Sequence, residues 1–367
     1  MLFLAATKSP PPQRSLMFHE TKYYVSPDGS DRNNGSEKHP FKTVLAAKRA
    51  VNSLDFDLNG PIHIIFKDGV YSTDGCVFSA GDSGSDTSPI IYRAENAGKV
   101  RLISSDDQPT LDLTALSHVT FEGFVIENNQ KSTVKFSNGC RFVSIVDCIL
   151  IAHNSYNFEC LDSSNLSLIG CAVHTGLACC LMARCVDCTI SGCRALYKKT
   201  SRKNGALIME DCRGLVVECC IFLMSDKSVP GICTVDGHPS TGTIIRSNIF
   251  IGNPNGGSAF AILSTDSSMH IRGNVFILKT SGQKTHIDFP PHCFEKNAVF
   301  GFTDSNMADD NFYTESITLP DSSPLLDENM QPTDEAIDYV AKQISTMSPG
   351  DILRLKKTAN FIKNSEQ

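Results

Sequence analysis

The residues best suited to act on a substrate lie in four connections at comparable points of a repeating pattern. The first, Leu196 to Asn204, holds Lys198, Lys199, Arg202 and Lys203 beside Tyr197; those that follow hold Lys227, then Asn253 and Asn255, then Lys284. On a chain of formal net charge −7 this is a local concentration of cations, suited to a glycan bearing uronic acids. β-Elimination from a uronide needs a cation to neutralise the carboxylate, a base to take the proton beside it, and an acid for the leaving oxygen. Lysine serves as the base where burial lowers its pKa, and arginine clamps a carboxylate bidentately. Lys199 and Arg202 are the candidates for those roles, with Tyr197, Lys198, Lys203, Lys227, Asn253, Asn255 and Lys284 lining the substrate. Asp236 and His238, two apart at a strand end, are the candidate acid/base pair. The plain alternatives are a solvated basic loop and an Asp-Gly turn followed by an exposed histidine. Glycosidase chemistry would instead need two carboxylates flanking a sugar bond, for which Asp226 with Asp236, or Asp236 with Asp266, are available.

No metal or other cofactor is expected. Cys185-Val186-Asp187-Cys188 has a metal-like spacing, but zinc needs four converging ligands, and these cysteines fit a strand pattern. Asp106-Asp107 and Asp309-Asp310 are isolated pairs in turn-like sequence, which gives no convergent carboxylate set for calcium. Nucleic acid is excluded as the main partner by the acidic balance, since a duplex or single strand needs a strong positive footprint.

The elements that position these residues are short β-branched runs separated by Gly, Asn, Asp and Ser from Ile62 onward. Seven triplets align at intervals of roughly 22 to 28 residues, the window of a solenoid. They begin at Cys148, Cys171, Cys193, Cys220, Asn248, Asn274 and Asn297, and each is an inward turn residue followed by a strand. No single coil buries its inward side chains, but stacked coils share one core, and equivalent residues then form ladders. In such a ladder Asn amides satisfy one another, and Cys fills the same space without a polar demand. The connections after the triplets then stack at one phase and wall a groove.

An open stack exposes strand edges at both ends. Pro40 to Val51, with apolar residues at Val44, Ala47 and Val51, predicts an amphipathic helix that covers the first end. Thr333 to Met347 and Pro349 to Lys363 predict two helices at the other, the second with Ser348 as N-cap. The chain has 15 Cys, an odd number, most of them within apolar runs. They are read as reduced core residues, which favours a reducing compartment. Met1 to Ala6 is too short for a complete signal peptide, which points to the cytoplasm unless the start is misassigned, so location is left open. No stretch reaches the length of a membrane span, and none is expected.

Tyr23-Tyr24-Val25-Ser26-Pro27-Asp28-Gly29-Ser30-Asp31, then His39-Pro40-Phe41-Lys42-Thr43 and Lys67-Asp68-Gly69-Val70-Tyr71, closely resemble the N-terminal opening of pectate-lyase-like β-helix proteins. Ser88 to Ala94 with Lys99 to Leu102 continues that opening, and Ser323-Pro324-Leu325-Leu326-Asp327 resembles the closing segment. The resemblance implies an all-β right-handed parallel β-helix, a solenoid with an N-terminal capping helix and C-terminal helices. Residues 1–20 are then a disordered leader, 21–327 the β-helix with its cap, and 328–367 a helical segment. Function is less constrained, since this opening is shared by lyases, glycosidases and epimerases. Asp236-Gly237-His238 is similar to the Asp-Pro-His element of alginate C5-epimerases but lacks its Pro. The expectation is a carbohydrate-active protein acting on an acidic polysaccharide, a polyuronide, by lyase-like or epimerase-like chemistry. A noncatalytic carbohydrate-binding, adhesion or structural module is the alternative.

Overall fold

A run such as Ser167–Ile169 has one inward residue, Leu168, and is stable only with a parallel neighbour on each edge. The chain supplies those neighbours by coiling. The structure, a computed structural model, describes residues 20–54, 60–105, 107–175, 178–197, 207–224, 232–234, 238–252, 261–263, 268–277, 286–288, 294–301, 311–314, 319–321, 323–327, 332–343 and 347–360. Three parallel sheets form the walls. Among the described residues the first has 11 strands, from Thr21–Val25 to Phe294–Glu295; the second has 11, from Gly69–Ser72 to Phe312–Thr314; the third has nine, from Val77–Phe78 to His286–Asp288. Each full coil runs from the first sheet to the second to the third, which is the expected β-helix.

The interior is aliphatic, thiol and aromatic. Phe222, Phe250 and Phe276 stack nearly face to face, with ring centroids 4.9 and 5.1 Å apart. At the corner between the first and second sheets, left-handed residues such as Asp147, Gly170, Gly192, Cys219 and Ser247 turn the chain. The ladder follows them. Asn248 Nδ2 donates to Val217 O at 2.9 Å and to Asn274 Oδ1 at 3.0 Å, and Asn274 repeats this with Ile245 O and Asn297 Oδ1. The column ends on Asn311, whose Oδ1 accepts from Asn297.

The cysteines above it are not mere filler. Thiols of Cys148, Cys171, Cys193 and Cys220 point at the equivalent carbonyls, Phe121, Ile145, Leu168 and Ile190, at 3.4–3.7 Å. A thiol therefore makes the Asn bond in weakened form, and the expectation of no polar demand is corrected. Twelve cysteines among the described residues are buried and free. Burial pushes the Cys171 and Cys220 thiols up, so they stay protonated and unreactive. In native protein treated with iodoacetamide, mass spectrometry should find Cys148, Cys171, Cys193 and Cys220 unmodified until the chain is unfolded. Fast native labelling of any of the four would contradict this packing.

Helix α1 (Val44–Asn52) starts later than the sequence predicts. Asp31 accepts from the backbone of Lys42 and Thr43, Thr43 caps Ala46 N, and Phe41 bridges to Val25, so the preceding residues are extended. Gly29 is required there, because a Cβ would lie 2.2 Å from Phe41 O. Val44, Ala47 and Val51 join the interior cluster, so α1 closes the first coil.

The C-terminal helices differ from expectation in placement. Helices α2 (Asp334–Gln343) and α3 (Pro349–Asn360) dock on the outer flank of the second sheet, where Ile221, Ile249, Ile251, Val275 and Ile277 face outward. The reason is apolar area: those strands are buried on both faces, and the helices supply the second cover. Ser348 caps α3 as expected, accepting from Asp351 N while Asp351 accepts from Ser348 N. No helix among the described residues is long and apolar enough to cross a membrane.

Candidate functional site

The outer face of the third sheet carries three charges in one column. Strands Leu111–Thr114, Val134–Ser137 and Tyr156–Leu161 pair so that Asp112, Lys135 and Glu159 stand in register. Their neighbours explain the orientation: Leu111, Leu113, Val134, Phe136, Phe158 and Cys160 are buried, so the residues between them face out. Strand spacing of about 4.8 Å puts the Asp112 and Glu159 backbones roughly 10 Å apart with Lys135 between. Lys135 Nζ lies 4.0 Å from Glu159 Oε1, and Ser132 Oγ donates to Glu159 Oε2 at 2.8 Å.

The electrostatics single out Asp112. Burial pushes the Asp112 carboxyl above the usual carboxylate range, with Lys135 opposing and Glu159 reinforcing the shift. A carboxyl shifted toward its protonated form, a cation and a hydrogen-bonded carboxylate are thus aligned on one half-buried strip. In the next two coils the column continues with Leu181, half-buried and able to meet the C–H face of a sugar ring, and Ile208, which is buried.

The four connections singled out from sequence all run from the second sheet to the third, joining Arg194–Tyr197 to Leu207–Glu210, Ile221–Met224 to Ile232–Thr234, Ile249–Ile251 to Ala261–Leu263 and Val275–Ile277 to His286–Asp288. They share the phase that the repeat implied, at the corner where the chain enters the third sheet. Lys198, Lys199, Arg202, Lys203, Lys227, Asp236, Asn253, Asn255 and Lys284 themselves lie outside the described residues, as do Asp226 and Asp266. Tyr197 ends a second-sheet strand, and its side chain is outside the described set.

His238 is placed, at the opposite edge of the third sheet. Its carbonyl accepts from Asp211 N, and its Nδ1 lies 3.0 Å from Asp211 Oδ2 and 4.0 Å from Glu210 Oε1. Within the described residues its partners are therefore carboxylates one coil away. This group has the ligand types for a cation, with the three side-chain donors within 4.8 Å of one another. The same edge holds Arg184 on Asp162, and that guanidinium adds to the field at His238. The column is a ladder of alternating charge, which accounts for the grouping without an ion.

The hydrogen bond to Asp211 raises the His238 pKa above the ordinary imidazole value. A raised folded-state pKa stabilises the fold below the ordinary value, and the contribution disappears as pH rises through the folded one. An NMR titration should give His238 a midpoint above that of a free imidazole, returning toward it in Asp211→Asn. An unchanged midpoint in that variant would remove the pairing.

Asp112, Lys135 and Glu159 were not among the residues picked from sequence, nor were Glu210 and Asp211. Their only signal is phase: the first three sit one repeat apart, each a lone charge between apolar strand residues. The Cys185 and Cys188 pair does not form a metal centre among the described residues. Cys185 belongs with Cys140 and Cys212 to a second ladder at the exit corner, their thiols 3.3–3.4 Å from Cys160, Leu113 and Met182 carbonyls, and Ser240 Oγ accepts from Cys212 N.

Residues 110–276 match a family model described as a right handed beta helix region. In structure the chain is similar to pectate lyase Pel9A, at 16% identity and a TM-score of 0.53, over 83% of this chain and 78% of that one. It is also similar to an alginate lyase from Paenibacillus sp. str. FPU-7, at 13% identity and a TM-score of 0.46, over 75% of this chain and 94% of that one. No curated protein matches the chain. At these identities the likeness is one of fold, a β-helix solenoid of the pectate-lyase type.

Proposed function

We propose, with the right-handed β-helix region as the premise, that the protein performs β-elimination on an acidic polysaccharide lying along the outer face of the third sheet. The observation that carries this is the Asp112, Lys135, Glu159 column, which offers the three groups the reaction requires. Lys135 neutralises the uronate carboxylate and makes the adjacent C–H acidic. Glu159, held by Ser132, takes that proton, and the electron pair forms the C=C bond as the glycosidic C–O bond breaks. Asp112 gives its proton to the leaving oxygen. Lys198, Lys199, Arg202, Lys203, Lys227 and Lys284, which belong by sequence to connections from the second sheet to the third, are kept in the proposal as contacts for further uronates.

A second reading, noncatalytic binding of a glycan, is favoured by the apolar continuation at the half-buried Leu181. The experiment that separates them incubates the full chain with a panel of polyuronides and follows the near-ultraviolet absorbance of the unsaturated product. Absorbance that grows with one polymer supports elimination. Solvent deuterium entering the uronate without absorbance would replace it by epimerisation, and binding with neither would leave the module.

A further inference from the structure

A cavity of about 390 Å³ opens between α3 and the solenoid, on the flank where the first sheet turns into the second. It arises from two glycines. In the corner column of Asp147, Gly170, Gly192, Cys219 and Ser247, positions 170 and 192 lack side chains. Thr358 of α3 sits over the notch at Gly192, its Oγ1 3.3 Å from Gly192 O and 3.4 Å from Cys219 O. At Gly170 the Asp147 carboxylate folds over the backbone, its Oδ1 2.2 Å from where a Cβ would stand, so Asp147 itself forms that part of the wall.

Its walls are held in place. Glu218, nearly buried, accepts from Arg246 Nε and Nη2 at 2.9 and 2.6 Å and from Arg354 Nη1 at 3.0 Å, and Asp351 accepts from Ser247 Oγ at 3.2 Å. These bonds tie α3 to the coils beside the cavity. The lining is of mixed character. Lys357 on the helix wall and Asp147 on the solenoid wall form no ion pair among the described residues, whereas the adjacent Lys356 is tied to Asp338. Thr189 and Ser191 supply hydroxyls from the outer face of the first sheet; Ser191 Oγ donates to Glu218 Oε1 at 3.3 Å and keeps its lone pairs for a ligand. Ile169, 41% exposed, gives an apolar floor.

We propose that this cavity binds a small anionic saccharide: one or two sugar units with a single acidic group on Lys357, hydroxyls on Asp147 and Ser191, and a ring face on Ile169. The volume is at the lower end of the roughly 300–1,000 Å³ typical of small-ligand sites, which fits one or two rings and not a polymer. A cation and a carboxylate on facing walls, neither in an ion pair among the described residues, suit a ligand that is both acid and hydrogen-bond donor. A carboxylate and a phosphate satisfy the cation equally, so the shared chemistry is an anionic sugar. The site is independent of the third sheet and stands whether or not elimination occurs there.

Calorimetric titration of the full chain with galacturonate, glucose 6-phosphate and glucose tests this. At least one of the two acids should bind, the two arms identifying carboxylate or phosphate, with glucose about tenfold weaker or worse, as loss of one charge-assisted contact implies. Lys357→Ala, on an exposed helix position, should weaken the acid by about tenfold. Ser191→Phe, which fills the cavity from a strand, should abolish binding, and Asp112→Asn on the third sheet should leave it unchanged. Failure of both acids to bind, equal binding of glucose, binding indifferent to both cavity variants, or loss of binding in Asp112→Asn would each overturn the proposal.

Discussion

Asn274→Ala should destabilise the solenoid by roughly 3–5 kcal/mol, since each buried group left without its partner costs about 1–3 kcal/mol. Asn274 is fully buried, its Oδ1 accepts from Asn248 N and Nδ2, and its own Nδ2 serves Ile245 O and Asn297 Oδ1. Alanine removes both functions at once, leaving the Asn248 amide and the Ile245 carbonyl in an interior that water does not reach. The loss passes to both neighbouring coils. Cys193→Ala, at the equivalent position higher in the ladder, should cost only about 1–2 kcal/mol, a small cavity and a weak thiol bond. Urea denaturation read at the midpoint, supported by amide exchange at residues 245–248, checks both. Stacked coils need not unfold in one step, so the comparison rests on the difference between the two variants. Equal midpoints would show that the Asn column is space-filling.

That ladder was legible because its period survives in the sequence: a small polar or thiol residue recurs at the head of each triplet from Cys148 to Asn297. The capping helix was legible for the same kind of reason, in the spacing of Val44, Ala47 and Val51. The docking of α2 and α3 was half visible. Ile249-Phe250-Ile251 and Val275-Phe276-Ile277 are apolar on both faces, the signature of a strand covered outside as well as in, and the amphipathic helices that cover them follow in the chain. Which flank they choose depends on Glu218 and Asp351, whose partners lie more than a hundred residues away in sequence and leave no local trace.

The candidate site was less legible. A cluster of loop cations is conspicuous in composition, so attention falls on Lys198 to Lys203. A strand charge such as Lys135 looks like any solvated residue of an alternating pattern. It becomes chemically distinct only when coil stacking sets Asp112 on one side of it and Glu159 on the other. His238 shows the same limit: its carboxylate is Asp211, which touches it through coil stacking and not through sequence proximity.

The largest expected effect on activity is at Asp112. Asp112→Asn keeps the shape and the hydrogen-bonding reach of the side chain and removes its proton, so turnover on the responsive polyuronide should fall about 10²- to 10⁴-fold, the range typical of a lost general acid. The KM should change little, because the acid acts on the leaving oxygen and Lys135 still meets the carboxylate. Folding does not confound the result: burial disfavours the ionised Asp112, and a neutral amide of the same size carries no such penalty. The pH dependence follows from the direction of the shift. The acid must be protonated, so kcat/KM should decline as pH rises through a pKa above the ordinary carboxylate range, and that limb should vanish in Asp112→Asn. Glu159→Gln should also lower turnover, because an amide does not take the proton from the uronate. Full activity in Asp112→Asn would move the leaving-group acid elsewhere on the face, and full activity in Glu159→Gln as well would take the third-sheet column out of the chemistry.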